Sequence, residues 1–321
     1  MGSLKYSVII PVYKNEESIP RLLTALADLD TQLEHSLEVV FVVDGSPDRS
    51  FMLLEQRLPE LPFSAQLVGH SRNFGSFAAI RSGLSIAKGE FFAVMAADLQ
   101  EPPELLLSFF ASLATDECDV ALGNRAARED PLSSRIPSHV FWSLYRKLVL
   151  PEMPPGGVDI FGCNRVFRDQ LLRLEESRSS LVALIFWLGF RRKLFEYKRL
   201  ERQEGVSGWT FKKKVDYMLD SIFAFTDYPV RLLVRLGLTG CIFSVLLALM
   251  VMVGHLLGSI TVPGYATIII AVLFFGALNT LGIGIVGTYA WRAYENTKKR
   301  PLAIIARHLV SPHASQDQDA K

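Results

Sequence analysis

The chain has 321 residues, half of them hydrophobic, and carries 34 Lys and Arg against 33 Asp and Glu, giving a formal net charge of +1. A charge so close to zero argues against a nucleic-acid partner, and none is expected. The three cysteines are widely spaced and form neither a zinc motif nor a disulfide framework, which is typical of a reducing compartment. The first residues show no signal-peptide pattern.

Five short apolar and β-branched runs predict strands, at residues 6–10, 38–43, 65–69, 91–95 and 119–123. Amphipathic segments between them predict helices at 17–29, 75–87 and 103–114. This alternation predicts an α/β domain whose mostly parallel sheet is covered by helices on both faces. Ligands of such sheets bind beyond the carboxyl ends of the strands. The residues that follow each strand are therefore the candidates for function.

The strand ends carry polar residues, but the chain has no glycine-rich phosphate loop. Neither G-x-G-x-x-G after the first strand nor G-x-x-x-x-G-K-[ST] occurs, which argues against dinucleotide and P-loop chemistry. The polar groups are Tyr13, Asp44-Gly45-Ser46, Ser71-Arg72-Asn73, Asp98-Leu99-Gln100 and Asn124-Arg125.

The second half of the chain contains a long uncharged run. Residues 236–291 are 56 positions without Asp, Glu, Lys or Arg, broken by GSITVPG at 258–264. One such helix would far exceed a bilayer core of about 30 Å. The run predicts two transmembrane helices, at 234–257 and 265–290, with a helical hairpin in a soluble core as the alternative. Basic residues flank both ends, so the inner membrane is expected, with the catalytic domain and both termini in the cytoplasm.

Residues 209–228 have one apolar face and begin with three lysines, which predicts an amphipathic helix at the membrane interface or one packed on the first domain. Residues 138–150 have similar character. A small-residue stripe at Gly276, Thr280, Gly284 and Thr288 packs the hairpin or joins protomers in a homo-oligomer; both interpretations stay open. The predicted divisions are a catalytic domain (1–205), a juxtamembrane helix (206–232), two spans (233–291) and a cytoplasmic tail (292–321).

Four segments follow one another at the strand ends: SVIIPVYKNEESI, VVDGSPDRS, SRNFGSFAAIRSGLSIAKGEF and MAADLQEPPE. Together with the hairpin, they resemble the polyprenyl-phosphate glycosyltransferases of family 2, a group that includes dolichol-phosphate mannose synthases and bactoprenol glucosyl transferases. The resemblance covers nearly the whole chain. It implies a GT-A type fold and an inverting transfer of one hexose from a nucleotide-sugar donor to polyprenyl (undecaprenyl) phosphate.

The resemblance also implies donor contacts at Pro11, Tyr13, Glu16 and Asp44. Asp44 would accept an N–H of the base, although an aspartate there also suits a turn cap. Arg72 would pair with a phosphate, or it is a solvated surface arginine.

The turn after the fourth strand is expected to hold a divalent ion. In the resembled family it reads D-x-D-x-Q; here it reads Ala96-Ala97-Asp98-Leu99-Gln100. Asp98 and Gln100 are hard oxygen ligands for Mg²⁺ or Mn²⁺ on the donor diphosphate, and period-two spacing would place both on one side. Because Ala96 replaces the first acid, the ion is expected to bind weakly without nucleotide. The alternative is a plain polar turn before a helix.

The acceptor requires positive charge more than a general base, because a lipid phosphate is already an anion. Arg125 and Arg135 are the candidates for holding that phosphate, or they are solvent-facing charges. Asp159 matches an acidic position beside the reaction centre of the family. It would orient the acceptor or a sugar hydroxyl or act as a base, or it is a turn aspartate after two glycines.

The sequence therefore predicts a membrane-bound hexosyltransferase, with UDP-glucose as the favoured donor. GDP-mannose, UDP-N-acetylglucosamine and a modified arabinose donor are the alternatives within the same reaction. A processive polysaccharide synthase is disfavoured because the chain has no Q-x-x-R-W motif. A non-catalytic membrane scaffold with this fold is the alternative from another class, and the acid lost at Ala96 is its support.

Overall fold

The computed structural model describes residues 4–125, 143, 145–147, 149–154, 157–176, 179–200, 211–257 and 264–312. The chain divides into two compact units. Unit 1 comprises Met1–Lys214 together with Arg300–Lys321, and unit 2 comprises Val215–Lys299.

Unit 1 alternates strands and helices along most of its length. Its strands are β1 (Tyr6–Val12), β2 (Leu37–Val43), β3 (Ser64–His70), β4 (Phe91–Val94), β5 (Val120–Arg125), β6 (Val158–Asn164), β7 (Arg192–Tyr197) and β8 (Ile305–Val310). Its helices are α1 (Ile19–Gln32), α2 (Ser50–Arg57), a 3₁₀ turn (Leu58–Glu60), α3 (Ser76–Ile86), α4 (Pro103–Ala114), α5 (Arg165–Arg173) and α6 (Leu181–Trp187).

The eight strands form one sheet in the order β7-β5-β6-β4-β1-β2-β3-β8. The central strands β3, β2, β1 and β4 are parallel, with Tyr6 opposite both Leu37 and Phe91. Strands β6 and β8 run antiparallel to their neighbours. The predicted α/β class with a mostly parallel sheet is confirmed. The chain order reverses between β1 and β4, and sheets of this kind bind ligands at such a reversal.

Side chains of β1 alternate between two helical layers. Val8, Ile10 and Val12 belong to the core cluster that includes residues of α1, α2 and α4. Ile9 points to the opposite layer, where a Cβ on Gly83 of α3 would lie 2.4 Å from its Cγ2. Alternation with apolar residues on both faces explains why β1 is almost wholly buried, as expected for a strand inside a parallel sheet.

Strand β8 closes the edge of the sheet next to β3, although the sequence predicts only a tail after residue 292. Leu309 lies opposite Leu67, and Ser311 exchanges hydrogen bonds with both backbone groups of Ala65, at 2.9 and 3.0 Å. The short strand covers backbone groups that β3 would otherwise expose.

The loops after β2 and β3 touch backbone to backbone. Gly45 has φ +56°, and a Cβ there would lie 2.3 Å from the carbonyl carbon of Arg72 and 2.5 Å from the nitrogen of Asn73. Two polar loops are thereby held together at the carboxyl edge of the sheet.

We expect Gly45→Ala to destabilise unit 1 by about 3 kcal/mol or more, because the methyl group collides with backbone that cannot rotate away. Gly189→Ala is the matched control: Gly189 has φ +71°, but a Cβ there meets its nearest atom at 4.0 Å. It should cost about 1 kcal/mol, the strain of the left-handed conformation alone. Urea unfolding followed by circular dichroism measures both; equal losses would contradict the collision.

Unit 2 contains most of α7 (Phe211–Phe225) and all of α8 (Tyr228–Leu256) and α9 (Tyr265–Thr297). These helices overlap the predicted juxtamembrane helix and the two predicted spans. Within the described residues, no helix is both long enough and apolar enough to cross a bilayer. The predicted transmembrane hairpin therefore gains no support from this part of the chain.

Two polar contacts of unit 2 lie towards the ends of its helices. Arg292 donates to the carboxylate of Asp220 at 2.5 Å, and the Tyr289 hydroxyl donates to the carbonyl oxygen of Thr226 at 3.2 Å. Along α8 and α9, by contrast, large apolar side chains are exposed, including Val234, Leu238, Phe243, Val272 and Ile283.

Candidate active site

A pocket of about 330 Å³ opens where the strand order reverses between β1 and β4. Three strand ends contribute to its wall: the loop after β1, the loop after β2 and the turn after β4. The lining residues are Lys14, Asn15, Glu16, Glu17, Ser18, Pro47, Asp48 and Asp98. Glu16 and Asp98, predicted separately as donor-site residues, line this same pocket.

Asp48 fixes the shape of the pocket wall. Its carboxylate accepts hydrogen bonds from the hydroxyls of Ser46 and Ser50 and from the backbone N–H of Glu16. Burial acts to raise its pKa, but these hydrogen bonds outweigh it and lower the pKa. Glu16 in turn accepts the backbone N–H of Arg49 at 2.9 Å. The loops after β1 and β2 are therefore tied together by the carboxylates of Asp48 and Glu16.

The carboxylate of Asp44 is buried and holds the loop that leads into α3. Its oxygens accept hydrogen bonds from the His70 ring at 2.8 Å and from the backbone N–H groups of Phe74 and Gly75 at 2.8 and 2.7 Å. The negative charge thus lies at the N-terminus of α3, where the helix dipole favours it. His70 also contacts the Ser82 hydroxyl at 2.9 Å. Asp44 was predicted as a ligand of the nucleotide base, and His70 was not predicted to have a role.

Burial acts to raise the pKa of Asp44, yet the hydrogen bonds from His70, Phe74 and Gly75 lower it below the ordinary value. A carboxylate with a lowered folded pKa adds stability above its unfolded pKa of about 3.9, and that stability is lost as the pH falls through the folded value.

We therefore expect Asp44→Asn to be less stable than the parent chain by about 1–3 kcal/mol at pH 7. The difference should shrink as the pH falls below about 4. Thermal unfolding between pH 3 and pH 7 measures it, with the exposed Asp28→Asn as control. A difference that is independent of pH would contradict the assigned role of the charge.

The turn after β4 is not extended. Leu99 has φ +54°, a left-handed conformation that is uncommon outside glycine, and its N–H lies 3.4 Å from the carbonyl oxygen of Ala96. The strict alternation used to place Asp98 and Gln100 on one side therefore does not apply. Asp98 lines the pocket, whereas Gln100 is buried against a different segment.

Gln100 contacts the segment that follows β7. Its side-chain oxygen accepts a hydrogen bond from Nη2 of Arg199 at 2.5 Å, and its backbone oxygen accepts the N–H of Leu200 at 2.9 Å. The Arg199 Nε lies 3.9 Å from a carboxylate oxygen of Glu101. Arg199 was not among the residues predicted to have a role.

Glu101 is almost fully buried, and its Oε2 has no hydrogen-bond partner among the described residues. Burial raises its pKa to about 7; the charge of Arg199 opposes the shift, and the charges of Asp159 and Asp98 add to it. The charges of both aspartates therefore act on the carboxyl group of Glu101. Asp98 and Asp159, which come from different strand ends, therefore belong to one electrostatic cluster.

A divalent ion fits this turn only in part. Among the described residues, no three His, Cys, Asp or Glu side chains are grouped to hold a metal ion. Asp98 offers a hard carboxylate in an open pocket, which fits an ion whose other ligands arrive with a diphosphate. The Gln100 oxygen fits once its bond to Arg199 is exchanged.

Arg125, at the end of β5, forms an ion pair with Asp159 of β6. The buried Tyr197 donates its hydroxyl to the same Asp159 oxygen at 3.1 Å. Burial, followed by the charges of Asp159 and Glu101, raises the pKa of Tyr197, so that it remains a donor. Two predicted acceptor-site residues thus meet, together with a tyrosine that the sequence did not single out.

The remaining predicted residues occupy the same edge of the sheet or lie outside the described part. Tyr13 is exposed beyond the end of β1, and Pro11 is half-buried within β1. The Arg72 guanidinium lies over the Phe74 ring, 4.0 Å from its centroid. Arg135 falls outside the described residues, as do most of the predicted interfacial segment 138–150 and residues 201–210. The assigned roles of these residues stay predictions.

Comparison with known proteins gives consistent matches. The model of glycosyl transferase family 2 matches residues 7–174. CsbB of Bacillus subtilis (strain 168), described as a glycosyltransferase, is 32% identical, covering 93% of this chain and 90% of CsbB. The SfII prophage-derived bactoprenol glucosyl transferase of Shigella flexneri is 27% identical, covering 96% of this chain and 100% of that protein. A solved mannosyltransferase, PcManGT from Pyrobaculum calidifontis in complex with GDP-Man and Mn²⁺, is 16% identical over 92% of this chain and 85% of that chain, with a TM-score of 0.44.

Proposed function

This chain belongs to glycosyl transferase family 2, and from that premise we propose that it transfers one hexose from a nucleotide-sugar to polyprenyl phosphate. Glucose from UDP-glucose is the proposed donor, because bactoprenol glucosyl transferases are among the similar proteins. The observation that carries the proposal is the arrangement of the strand ends: Asp98 lines the pocket after β4, and the Arg125–Asp159 ion pair joins β5 to β6, the strand next to β4. This arrangement supports a donor site with an anion-binding site close to it.

Different residues of the site would bind different parts of the donor. The loops ordered by Asp44 and Asp48 would hold the nucleoside, with Pro11, Tyr13, Glu16 and Arg72 around it. Asp98 and Gln100 would hold Mg²⁺ or Mn²⁺, which neutralises charge on the departing diphosphate when bound. The chemistry then needs the acceptor oxygen in line with the anomeric carbon.

Arg125 would orient the acceptor. Its planar guanidinium pairs with Asp159, which fixes its direction, and its other N–H groups suit a phosphate. The phosphate oxygen is already ionised and attacks directly, so Asp159 acts as an orienting group and no proton transfer is needed. Attack opposite the leaving diphosphate gives a β-linked polyprenyl-phosphate sugar.

We also propose that unit 2 holds the enzyme at the cytoplasmic membrane. Exposed apolar side chains along α8 and α9 and the uncharged run 236–291 support this location. A polyprenyl phosphate keeps its head group at that surface, within reach of a bound enzyme.

Incubation of the purified chain with radiolabelled UDP-glucose, GDP-mannose and UDP-N-acetylglucosamine and with undecaprenyl phosphate tests the function. We expect label in the lipid phase from UDP-glucose. Label from another donor would correct the sugar alone. No transfer from any donor would favour the scaffold alternative.

A further inference from the structure

Arg199 occupies the oxygen that the proposed metal requires. Its Nη2 donates to the Gln100 side-chain oxygen at 2.5 Å, a charge-assisted contact. The backbone beside it is fixed separately, because the N–H of Leu200 donates to the Gln100 carbonyl oxygen at 2.9 Å. The guanidinium can therefore leave Gln100 while the segment stays in place.

A divalent ion and the guanidinium exclude each other on this oxygen. An ion bound at about 2.1 Å and a guanidinium within hydrogen-bond distance of the same atom would bring two positive charges to about 4–5 Å. Only one of the two cations can hold Gln100.

The Arg199 side chain, once released from Gln100, can turn towards the proposed acceptor site. About a third of the Arg199 side chain is exposed, and Arg199 comes two residues after Tyr197, which lies opposite Arg125 in the parallel pairing of β7 with β5. An arginine released there would add a second guanidinium on the side of Arg125, and anionic phosphates are bound well by paired guanidinium groups.

We propose that the Arg199 guanidinium occupies the side-chain oxygen of Gln100 until the donor binds. The metal-bound donor then displaces Arg199, and the released guanidinium binds the phosphate of the acceptor. The inference rests on the proposed function. The exchange couples the binding of the two substrates, because the acceptor site is complete only after the donor has bound. It also explains how a turn that lacks an acid at Ala96 remains ordered without metal.

Manganese binding tests the exchange without reference to turnover. Free Mn²⁺ is measured by electron paramagnetic resonance during titration of the full chain in saturating UDP. Arg199→Ala should bind Mn²⁺ about tenfold more tightly than the parent chain, because no hydrogen bond to a charged group has to be broken first. Arg191→Ala, which removes a surface arginine paired with Asp116 and Asp119, is the control and should leave the affinity unchanged.

A double variant locates the effect. In Gln100→Ala the oxygen is absent, so adding Arg199→Ala should give no further gain. Unchanged or weaker Mn²⁺ binding in Arg199→Ala, or an equal gain in the Gln100→Ala background, would overturn the exchange while leaving the proposed function intact. Failure of the parent chain to bind Mn²⁺ with UDP or with GDP would overturn both.

The acceptor provides a second readout. In Arg199→Ala the KM for undecaprenyl phosphate should rise about tenfold or more, while the KM for the nucleotide-sugar does not rise. A change in kcat with both KM values unchanged would contradict phosphate binding by Arg199.

Discussion

Replacing Asp98 by alanine should lower transfer by about a thousandfold or more while the chain still folds. Asp98 is the carboxylate of the β4 turn that lines the pocket, and the other acids of that pocket wall are committed to loop contacts or lie on the β1 side. Loss of the one charged ligand leaves the departing diphosphate without an ion to neutralise it, which is worth several kcal/mol.

The control for Asp98→Ala is a carboxylate outside the proposed site, whose loss should not affect transfer. Asp28 on α1 is exposed, and Asp28→Asn should retain full turnover. Turnover is measured as sugar transferred to lipid, and folding as the thermal unfolding temperature. Asp98→Asn adds a size-matched variant and should be as inactive as the alanine variant. Undiminished transfer in either variant would remove the metal assignment.

Replacing Arg125 by alanine should reduce kcat/KM for polyprenyl phosphate by about a hundredfold, with nucleotide affinity changed less than about twofold. Arg125 is the arginine held by Asp159, and the variant removes the positive charge that is proposed to bind the acceptor phosphate. A hydrogen-bonded ion pair to a phosphate has this order of energy.

Two variants separate charge from shape at this position. Arg125→Lys keeps the charge but loses the planar fork, so it should recover only part of the acceptor affinity. Arg57, which forms an exposed ion pair with Glu60, supplies the control, and Arg57→Ala should behave as the parent chain. Equal losses in UDP affinity and in acceptor affinity for Arg125→Ala would place this arginine at the donor instead.

Local patterns were sufficient for the parallel half of the sheet. Each predicted strand is found, with ends shifted by one or two residues, because buried parallel strands need continuous apolar runs and these are visible in the sequence. Strands β6, β7 and β8 were not predicted. β7 and β8 are the two edge strands, and β6 lies antiparallel between β4 and β5. The pairing of β8 with β3 joins residues that are more than 200 positions apart.

The site was predictable where a residue follows directly from its strand. Asp98 and Glu16 meet in one pocket because β4 and β1 are neighbours. Gln100 was placed wrongly relative to Asp98, since the left-handed backbone of Leu99 turns it towards Arg199. Nothing in the residue pattern signals that conformation, which a non-glycine residue adopts at an energetic cost repaid by its surroundings.

Side-chain contacts between residues far apart in the chain could not be predicted from motif spacing. Arg199 contacts Gln100 across 99 positions, and His70 contacts Asp44 across 26. His70 is the last residue of β3, so it carried a positional signal at a strand end. Arg199 carried none, because the segment after β7 becomes part of the site only through an unpredicted strand.

The pocket between the ends of β1 and β4 is the proposed binding site of the nucleotide-sugar. A structure of the full chain with UDP-glucose and Mn²⁺ measures this directly. We predict the diphosphate beside Asp98, with the ion on Asp98 and Gln100 and the Arg199 side chain turned away from Gln100. An empty pocket with the nucleotide bound at another place on the chain would contradict the account.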